Sequence, residues 1–459
     1  MNIPQIDSAF SMLQQCLDIA ERANRRQGHV PKDHPHPRAV VNQFMRQRAS
    51  KLAKVGYGNY QIQTSQMPHA YPPSVRLIDD LISIPISQME LQKYHRGKKA
   101  VLRVITPQDT LNAIMAVVED EEGTAVLLQL YHQQSLTATN PEDMLRQNMV
   151  LVIKEPFFKA AGDGSYSIRA DHVSDVVWLH DTDPRIPSKW KSQGSETETS
   201  TALRGQGNMA VKSKQWAKAE NLYSHAVRVA KTPEEKELAY LNRSFVHLQL
   251  QRPEKALEDA LNATKGGRLA EKGLFREARA LYELGRFTES VEKWRMLTQS
   301  YPQNTDARKE LKRCEERVKE AETGAYDFAA MYKQAKATPP IIDCATYKGP
   351  VAVREVHGCG GSGLFTTKPV KAGDLLLCEK AFAYCYADKD DPIGRRNMRI
   401  LLQLDTKRVK RGGQAHLLTD IVQKLYHSPQ ASEGFRALYH GDYPAVTVTE
   451  TDGKPVVDT

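Results

Sequence analysis

Small residues recur at Ala219, Ala256 and Ser290, 37 and then 34 residues apart, and a similar local pattern returns around each. The three stretches are QWAKAENLYSHAV, RPEKALEDALNA and RFTESVEKWRMLTQSYP. A period of that length belongs to stacked helical hairpins, where a small residue lets paired helices approach and each unit buries its apolar stripe against its neighbours. The array opens at Thr201 with the pair Gly207-Asn208, and Pro302 stops the third unit. Three units are about the minimum that makes a continuous core. A further helical run from Asp306 to about Lys336 is expected to cap it.

The other segments must fold differently. A chain of 459 residues suggests roughly three domains at about 150 residues each. With 40% hydrophobic and 26% charged residues it has a soluble, globular balance. No window approaches the roughly 18 apolar residues of a membrane helix, and the first twenty residues lack a signal-peptide core. The six cysteines are too sparse for a disulfide scaffold and form no C-x-x-C pair, so no metal ligand set is read. An intracellular compartment, cytoplasm or nucleus, is expected. The net charge of +9 suits acidic partners such as nucleic acid, chromatin or acidic peptide tails, and equally suits a merely basic soluble protein.

Residues 1–26 carry Ile6, Phe10, Leu13, Leu17 and Ile19 at helical spacing and read as an amphipathic helix. Residues 27–74 read as a basic flexible linker; His29, His34 and His36 have no cysteine nearby, and the last two precede proline, so a solvated role is favoured over metal binding. Over 75–180 the pattern becomes short strands: KAVLRVIT, LNAIMAVVED, GTAVLLQLYH, NMVLVIKEPFFK, YSIRADH and SDVVWL. Five or six strands with a helical insertion near Pro141 to Arg146 suggest a small closed or half-closed barrel, OB-like in shape. Tyr131, Phe157 and Phe158 could stack on nucleotide bases, but strand aromatics are usually core, and nucleic-acid binding is not favoured. Residues 181–200, with KSQGSETETS, read as a flexible linker.

On these anchors and that period, residues 201–336 resemble tetratricopeptide repeats. In such arrays the first helix of each hairpin lines the concave groove. Arg204 and Asn208 are four apart on the first, Asn242 within LNRS lies on the second, and Lys272 and Arg276 repeat the four-residue spacing on the third. The set is similar to the carboxylate clamp of chaperone-binding members, which implies recognition of a Glu-Glu-Val-Asp tail of a heat-shock protein. Arg204 stands where that family usually has Lys, which keeps the charge and changes geometry and hydration. Repeat helices carry many exposed Lys and Arg in any case, so a plain solvated face is the competing reading.

After ATPPIIDCATYKGP comes VAVREVHGCGGSGLFTTKPVKAGDLLLCEKAFAYCY. Gly361-Ser362-Gly363-Leu364-Phe365, Val370-Lys371-Ala372-Gly373-Asp374 and Glu379-Lys380-Ala381-Phe382-Ala383 together resemble the opening of a SET domain, the fold of protein-lysine methyltransferases. That resemblance implies S-adenosylmethionine as cofactor, with Gly361, Ser362, Gly363 and Leu364 at a glycine turn where its backbone approaches the donor. Ser362 departs from the family's usual Arg or Lys, and His357-Gly358-Cys359 is unusual. With Tyr326-Asp327-Phe328 between repeats and SET opening, the order is similar to fungal proteins carrying tetratricopeptide and SET domains. The family's later half, with an Asn-His turn and a late Tyr, finds no match: the chain has no Asn-His dipeptide, and Tyr439 and Tyr443 lie in what reads as a helical insert. RNMRILLQL from Arg396 and HLLTDIVQKLYH from His416 are both read as helices of that insert.

The expected architecture is therefore multidomain α+β: an OB-like β module, an α-solenoid, and over 348–459 a partial, β-rich SET domain with a helical insert. The expected function is that of an S-adenosylmethionine-dependent protein-lysine methyltransferase family member with a protein-binding groove. No catalytic residue is assigned, and this chain is expected to be a fragment or truncated product, inactive alone. The alternative is a non-enzymatic adaptor for the acidic tails of heat-shock chaperones.

Overall fold

The computed structural model describes residues 14, 17–55, 61–110, 112–133, 144–160, 165–191, 198–266, 271–356, 361–386, 397–403, 408–444 and 446–459. Two compact units emerge: Met1–Ser195 with Cys385–Arg436 and Asp442–Thr459, and Glu196–Tyr384 with Ala437–Gly441. No helix among the described residues is long and apolar enough to cross a membrane.

The first unit is built on a ten-stranded sheet. Its strands are β2 (Ile82–Ser83), β3 (Lys93–Tyr94), β4 (Lys98–Val104), β5 (Asp109–Thr110), β6 (Ile114–Glu119), β7 (Ala125–Leu130), β8 (Val150–Lys154), β9 (Phe157–Ala160), β10 (Tyr166–Ala170) and β11 (Val176–Trp178). The path runs β11-β8-β4-β6-β7-β10-β9-β3, with β2 on β4 and β5 on β6. The path has two ends, so of the expected closed or half-closed barrel the closed form is not what the described residues make. The unbroken apolar runs follow from burial on both faces. Ile114, Ala116 and Val118 of β6 enter the main core with Leu102, Leu128 and Phe158, while Met115 and Val117 enter a second core. Phe158 is fully buried and Tyr131 nearly so, which assigns these aromatics to packing.

Where a flexible linker was expected over 27–74, helix α1 (Pro37–Val55) and strand β1 (Gln61–Met67) are present. The helix docks through Phe44, which joins Ala113, Met115, Val117, Ala125 and Tyr131. The segment 181–191 is likewise tied down, with Ile186 and Trp190 packed beside Val150, Val152 and Val177. Residues 17–24 are helical; 1–13, half of the expected amphipathic helix, and 141–143 of the expected insertion at 141–146 lie outside the described residues, while 144–146 form no helix.

The distal part of the chain completes this same unit. Strand β16 (Asn397–Gln403), read above as helical, pairs in parallel with β1 from Gln61↔Asn397 to Met67↔Gln403, and antiparallel with β17 (Arg408–Arg411). Helix α10 (Gly413–His427) puts Val422 and Leu425 against Val173 and Val457. A hairpin of β18 (Glu450–Thr451) and β19 (Lys454–Pro455) meets β8. There the fully buried Lys154 amine donates to Thr451 Oγ1 at 3.0 Å and Asp452 Oδ2 at 3.1 Å, and Asp452 also accepts from the Ile78 amide at 3.0 Å. These contacts group 397–436 and 442–459 with the β module, whereas 348–384 fall in the second unit, so the segment 348–459, expected as one partial SET domain, is divided between the two units.

In the second unit, three helical hairpins follow one another: α2 (Ser200–Lys212) with α3 (Trp216–Val229), α4 (Pro233–Gln249) with α5 (Pro253–Thr264), and α6 (Glu271–Glu283) with α7 (Phe287–Ser300). Ala219, Ala256 and Ser290 are fully buried, and the Ser290 hydroxyl donates to the Ala278 carbonyl at 2.7 Å. Gly207 is needed for close packing, since a Cβ there would lie 2.4 Å from Tyr223 Cε1. Thr199, Thr232 and Asn304 side chains cap the helices that follow them. Helix α8 (Thr305–Thr323) covers the last hairpin through Ala307 and Cys314, and α9 (Phe328–Gln334) is N-capped by Asp327. Beyond it, β12 (Tyr347–Lys348) pairs with β15 (Leu377–Cys378), and β13 (Val351–Val356) with β14 (Gly361–Thr366).

Candidate functional site

The five groove residues fall on the first helices of the three hairpins: Arg204 and Asn208 on α2, Asn242 on α4, Lys272 and Arg276 on α6. The structure joins the two asparagines directly, with Asn242 Nδ2 donating to Asn208 Oδ1 at 3.2 Å. The same oxygen accepts from the Tyr223 hydroxyl at 2.7 Å. With its oxygen doubly engaged, Asn208 keeps its amide hydrogens as donors. Burial pushes the Tyr223 phenol up to about 12, and nearby Arg204 draws it back, so it stays a protonated donor.

The cations are arranged differently. Lys272 is exposed, whereas Arg276 is half-buried with its guanidinium 4.5 Å from the Phe245 ring centroid. Burial pushes Arg276 below its ordinary value, yet an arginine stays charged at any ordinary pH. Arg204 donates to Thr201 Oγ1 at 3.3 Å, and Nε of both Arg204 and Arg276 is buried without a partner. Among the described residues no carboxylate is paired with Arg204, Lys272 or Arg276, although other arginines of this unit are paired: Arg243 with Asp259, Arg252 with Glu220, Arg279 with Glu283. Unpaired guanidinium and ammonium groups beside amide donors can take a carboxylate through charge-assisted hydrogen bonds. The likeness to the carboxylate clamp named these five polar positions. It missed Tyr223, which orients Asn208, and Phe245, which carries Arg276; an aromatic gives no sequence sign of which face it serves.

The glycine segment has another geometry. Gly361, Ser362, Gly363 and Leu364 lie inside strand β14, with Val356↔Gly361, Glu355↔Ser362 and Arg354↔Gly363 in register, and not in a turn. Residues 357–360, which precede them, lie outside the described residues. A Cβ at Gly361 would meet nothing within 4 Å, but one at Gly363 would meet Phe365 Cε2 at 2.8 Å and Val356 Cγ2 at 3.1 Å. The space left by Gly363 is thus taken by the hairpin's own side chains, and Leu364 is 55% exposed. These residues do not by themselves enclose S-adenosylmethionine. The turn at 371–374 is formed, with the Lys371 amide donating to Asp374 Oδ2 at 2.8 Å and Gly373 at φ +96°.

No family model matches the chain. It is 48% identical over 448 residues to a protein of Gibberella zeae named "Methyltransferase", covering 97% of this chain and 59% of that protein. The chain thus spans less than two thirds of that relative's length. A Protein STIP1 homolog of Dictyostelium discoideum is 36% identical over 93 residues, 20% of this chain and 16% of that one. Among solved structures, the Arabidopsis OM64 TPR domain aligns at 30% identity and a TM-score of 0.24, covering 25% of this chain and 93% of that domain.

Proposed function

We propose that this chain docks the acidic C-terminal tail of a protein partner in the groove of Arg204, Asn208, Asn242, Lys272 and Arg276, as part of an S-adenosylmethionine-dependent protein-lysine methyltransferase of the SET type. The partner we favour is a heat-shock chaperone whose tail ends in Glu-Glu-Val-Asp. The observation that carries the docking half is the set of three cations with no carboxylate partner among the described residues, on the same hairpin helices as a preoriented asparagine pair. A terminal carboxylate next to an aspartate side chain needs donors converging from several helices, and the first helices of three successive hairpins supply them. The methyltransferase half is supported by the name of the Gibberella zeae relative and by the likeness of 361–383 to a SET opening. Recruitment by the groove and modification by the larger protein are compatible.

Calorimetric titration with a peptide ending in Glu-Glu-Val-Asp tests the docking. Micromolar affinity is expected, about −8 kcal/mol, lost on Lys272→Ala or Arg276→Ala and on amidation of the peptide's terminus. Equal affinity in both variants removes this reading. A titration with S-adenosylmethionine tests the other half: weak binding is expected for this chain and tight binding for a longer form, and equal tight binding by both contradicts the requirement for the additional segment.

A further inference from the structure

Beyond α9 the chain has no regular secondary structure over 341–346, where it meets side chains of α6 and α8. Its carboxylate at Asp343 accepts from the Tyr282 hydroxyl at 2.8 and 3.0 Å, from Arg313 Nε at 2.7 Å and from Arg317 Nη1 at 3.2 Å. The main chain of the same residue is held on both sides, its amide donating to Gln334 Oε1 at 2.7 Å and its carbonyl accepting from Arg317 Nη1 at 2.6 Å. Two residues on, the Ala345 amide donates to Glu320 Oε2 at 2.9 Å and its carbonyl accepts from the Tyr326 hydroxyl at 2.7 Å. Cys344 and Ala345 are both buried, the latter within the apolar cluster of Leu274, Ala278, Trp294 and Cys314.

Backbone groups in folded proteins are mostly satisfied by other backbone groups. Here four demands, the amides and carbonyls of the alternate residues Asp343 and Ala345, are each met by a side chain, and the one acidic side chain is met by three donors. Side chains that read a peptide backbone while pockets select alternate residues make a peptide-recognition arrangement. Burial pushes the Asp343 carboxyl up, but Arg313 and Tyr282 more than reverse this and hold it below the usual carboxylate range, so the bound form is the anion.

We propose that Tyr282, Arg313, Arg317, Glu320, Tyr326 and Gln334 form a second peptide-binding site on the helical unit, selective for a segment with an aspartate two residues before a small buried one, and that residues 341–345 of this chain occupy it in cis. The tethered segment competes at an effective concentration of about millimolar, so the site is closed to other peptides until the aspartate anchor is weakened. This inference does not rest on the reading of the groove at Arg204 to Arg276.

The test uses the full chain and a labelled peptide with the sequence of residues 338–347, followed by fluorescence anisotropy under reducing conditions, with hydrogen exchange over 341–346 measured in parallel. The Asp343→Asn chain should take up the peptide at least about tenfold more tightly than the parent, the gain expected when a charge-assisted anchor is removed from the competitor. The same peptide with Asn at its Asp position should lose that gain. Adding Arg313→Ala to Asp343→Asn should abolish uptake, while adding Arg276→Ala should leave it unchanged. If exchange over 341–346 quickens in folded Asp343→Asn and no peptide is taken up, the contacts are static packing and the proposal fails. Unchanged exchange overturns it equally, because the aspartate is then not the anchor. Should Asp343→Asn not fold, Arg313→Ala alone must quicken exchange over 341–346, and an unaltered rate there overturns the proposal.

Discussion

At Asp175 a carboxyl is closed into the first unit, accepting a hydrogen bond from the Ser74 amide at 2.9 Å. Burial pushes it up to about 7; the Ser74 amide, Lys154 and Arg96 draw it down, and Glu155 adds to the rise. Its folded value thus lies above the roughly 3.9 of an unfolded aspartate, and the folded protein takes up the proton. The penalty is absent below about pH 4, grows between about pH 4 and 7, and levels off above that, so stability falls over that window. Asp175→Asn keeps an acceptor for Ser74 and removes the charge. Denaturant melts should therefore show the variant more stable than its parent by about 2–4 kcal/mol at pH 8, at about 1.4 kcal/mol per unit, and indifferent at pH 4. A gain of the same size at both pH values would assign the effect to packing instead of ionisation.

Among the elements, the β18–β19 hairpin is held to the sheet by the buried ammonium of Lys154. The Lys154 amine is fully enclosed and donates to Thr451 and Asp452. Removing one member of such a pair leaves an uncompensated buried charge, costing about 3–5 kcal/mol, while replacing the pair by apolar groups is often nearly neutral. Asp452→Ala is expected to lower stability by about that amount and expose 449–457 to protease, and Lys154→Met in the same chain to recover most of it. Failure of the second substitution to recover anything would mean that the hairpin is held by Asp452 capping Ile78 and not by the lysine. The sequence carried no sign of this contact, because its partners are nearly three hundred residues apart. The hairpins of the second unit were legible for the opposite reason: Ala219, Ala256 and Ser290 mark contacts between helices adjacent along the chain. RNMRILLQL shows the limit of periodicity, since Leu401 and Leu402 are both buried and the run satisfies a helix pattern as well as a strand pattern. Its partner β1 decides the matter. Helix α1 was missed because one buried residue, Phe44, anchors a segment whose other features are basic and solvated.

For the molecule as a whole, the chain leaves its first unit after Ser195 and re-enters it at Cys385. Inserting a domain this way is cheap, because loop-closure entropy grows only by about 0.6 kcal/mol per doubling of loop length. The cost falls on the contiguous N-terminal part taken alone. Without 385–459 it would lose the seven-residue pairing of β1 with β16, the packing of Val422, Leu425 and Val457 on Val173, and the counter-charge of Lys154. A polypeptide of residues 1–195 should consequently melt at lower temperature than this unit does within the full chain, and bind a hydrophobic dye. Added separately, a 385–459 polypeptide should restore the melting temperature and co-elute with it, whereas residues 196–384, with their own core around Trp294 and Leu274, should melt cooperatively without either. Calorimetry and size-exclusion chromatography on the three polypeptides decide it. If 1–195 melts by itself at the temperature of the intact chain and ignores 385–459, then the distal contacts are peripheral, and the distal segment is free to belong to the SET-like opening after all.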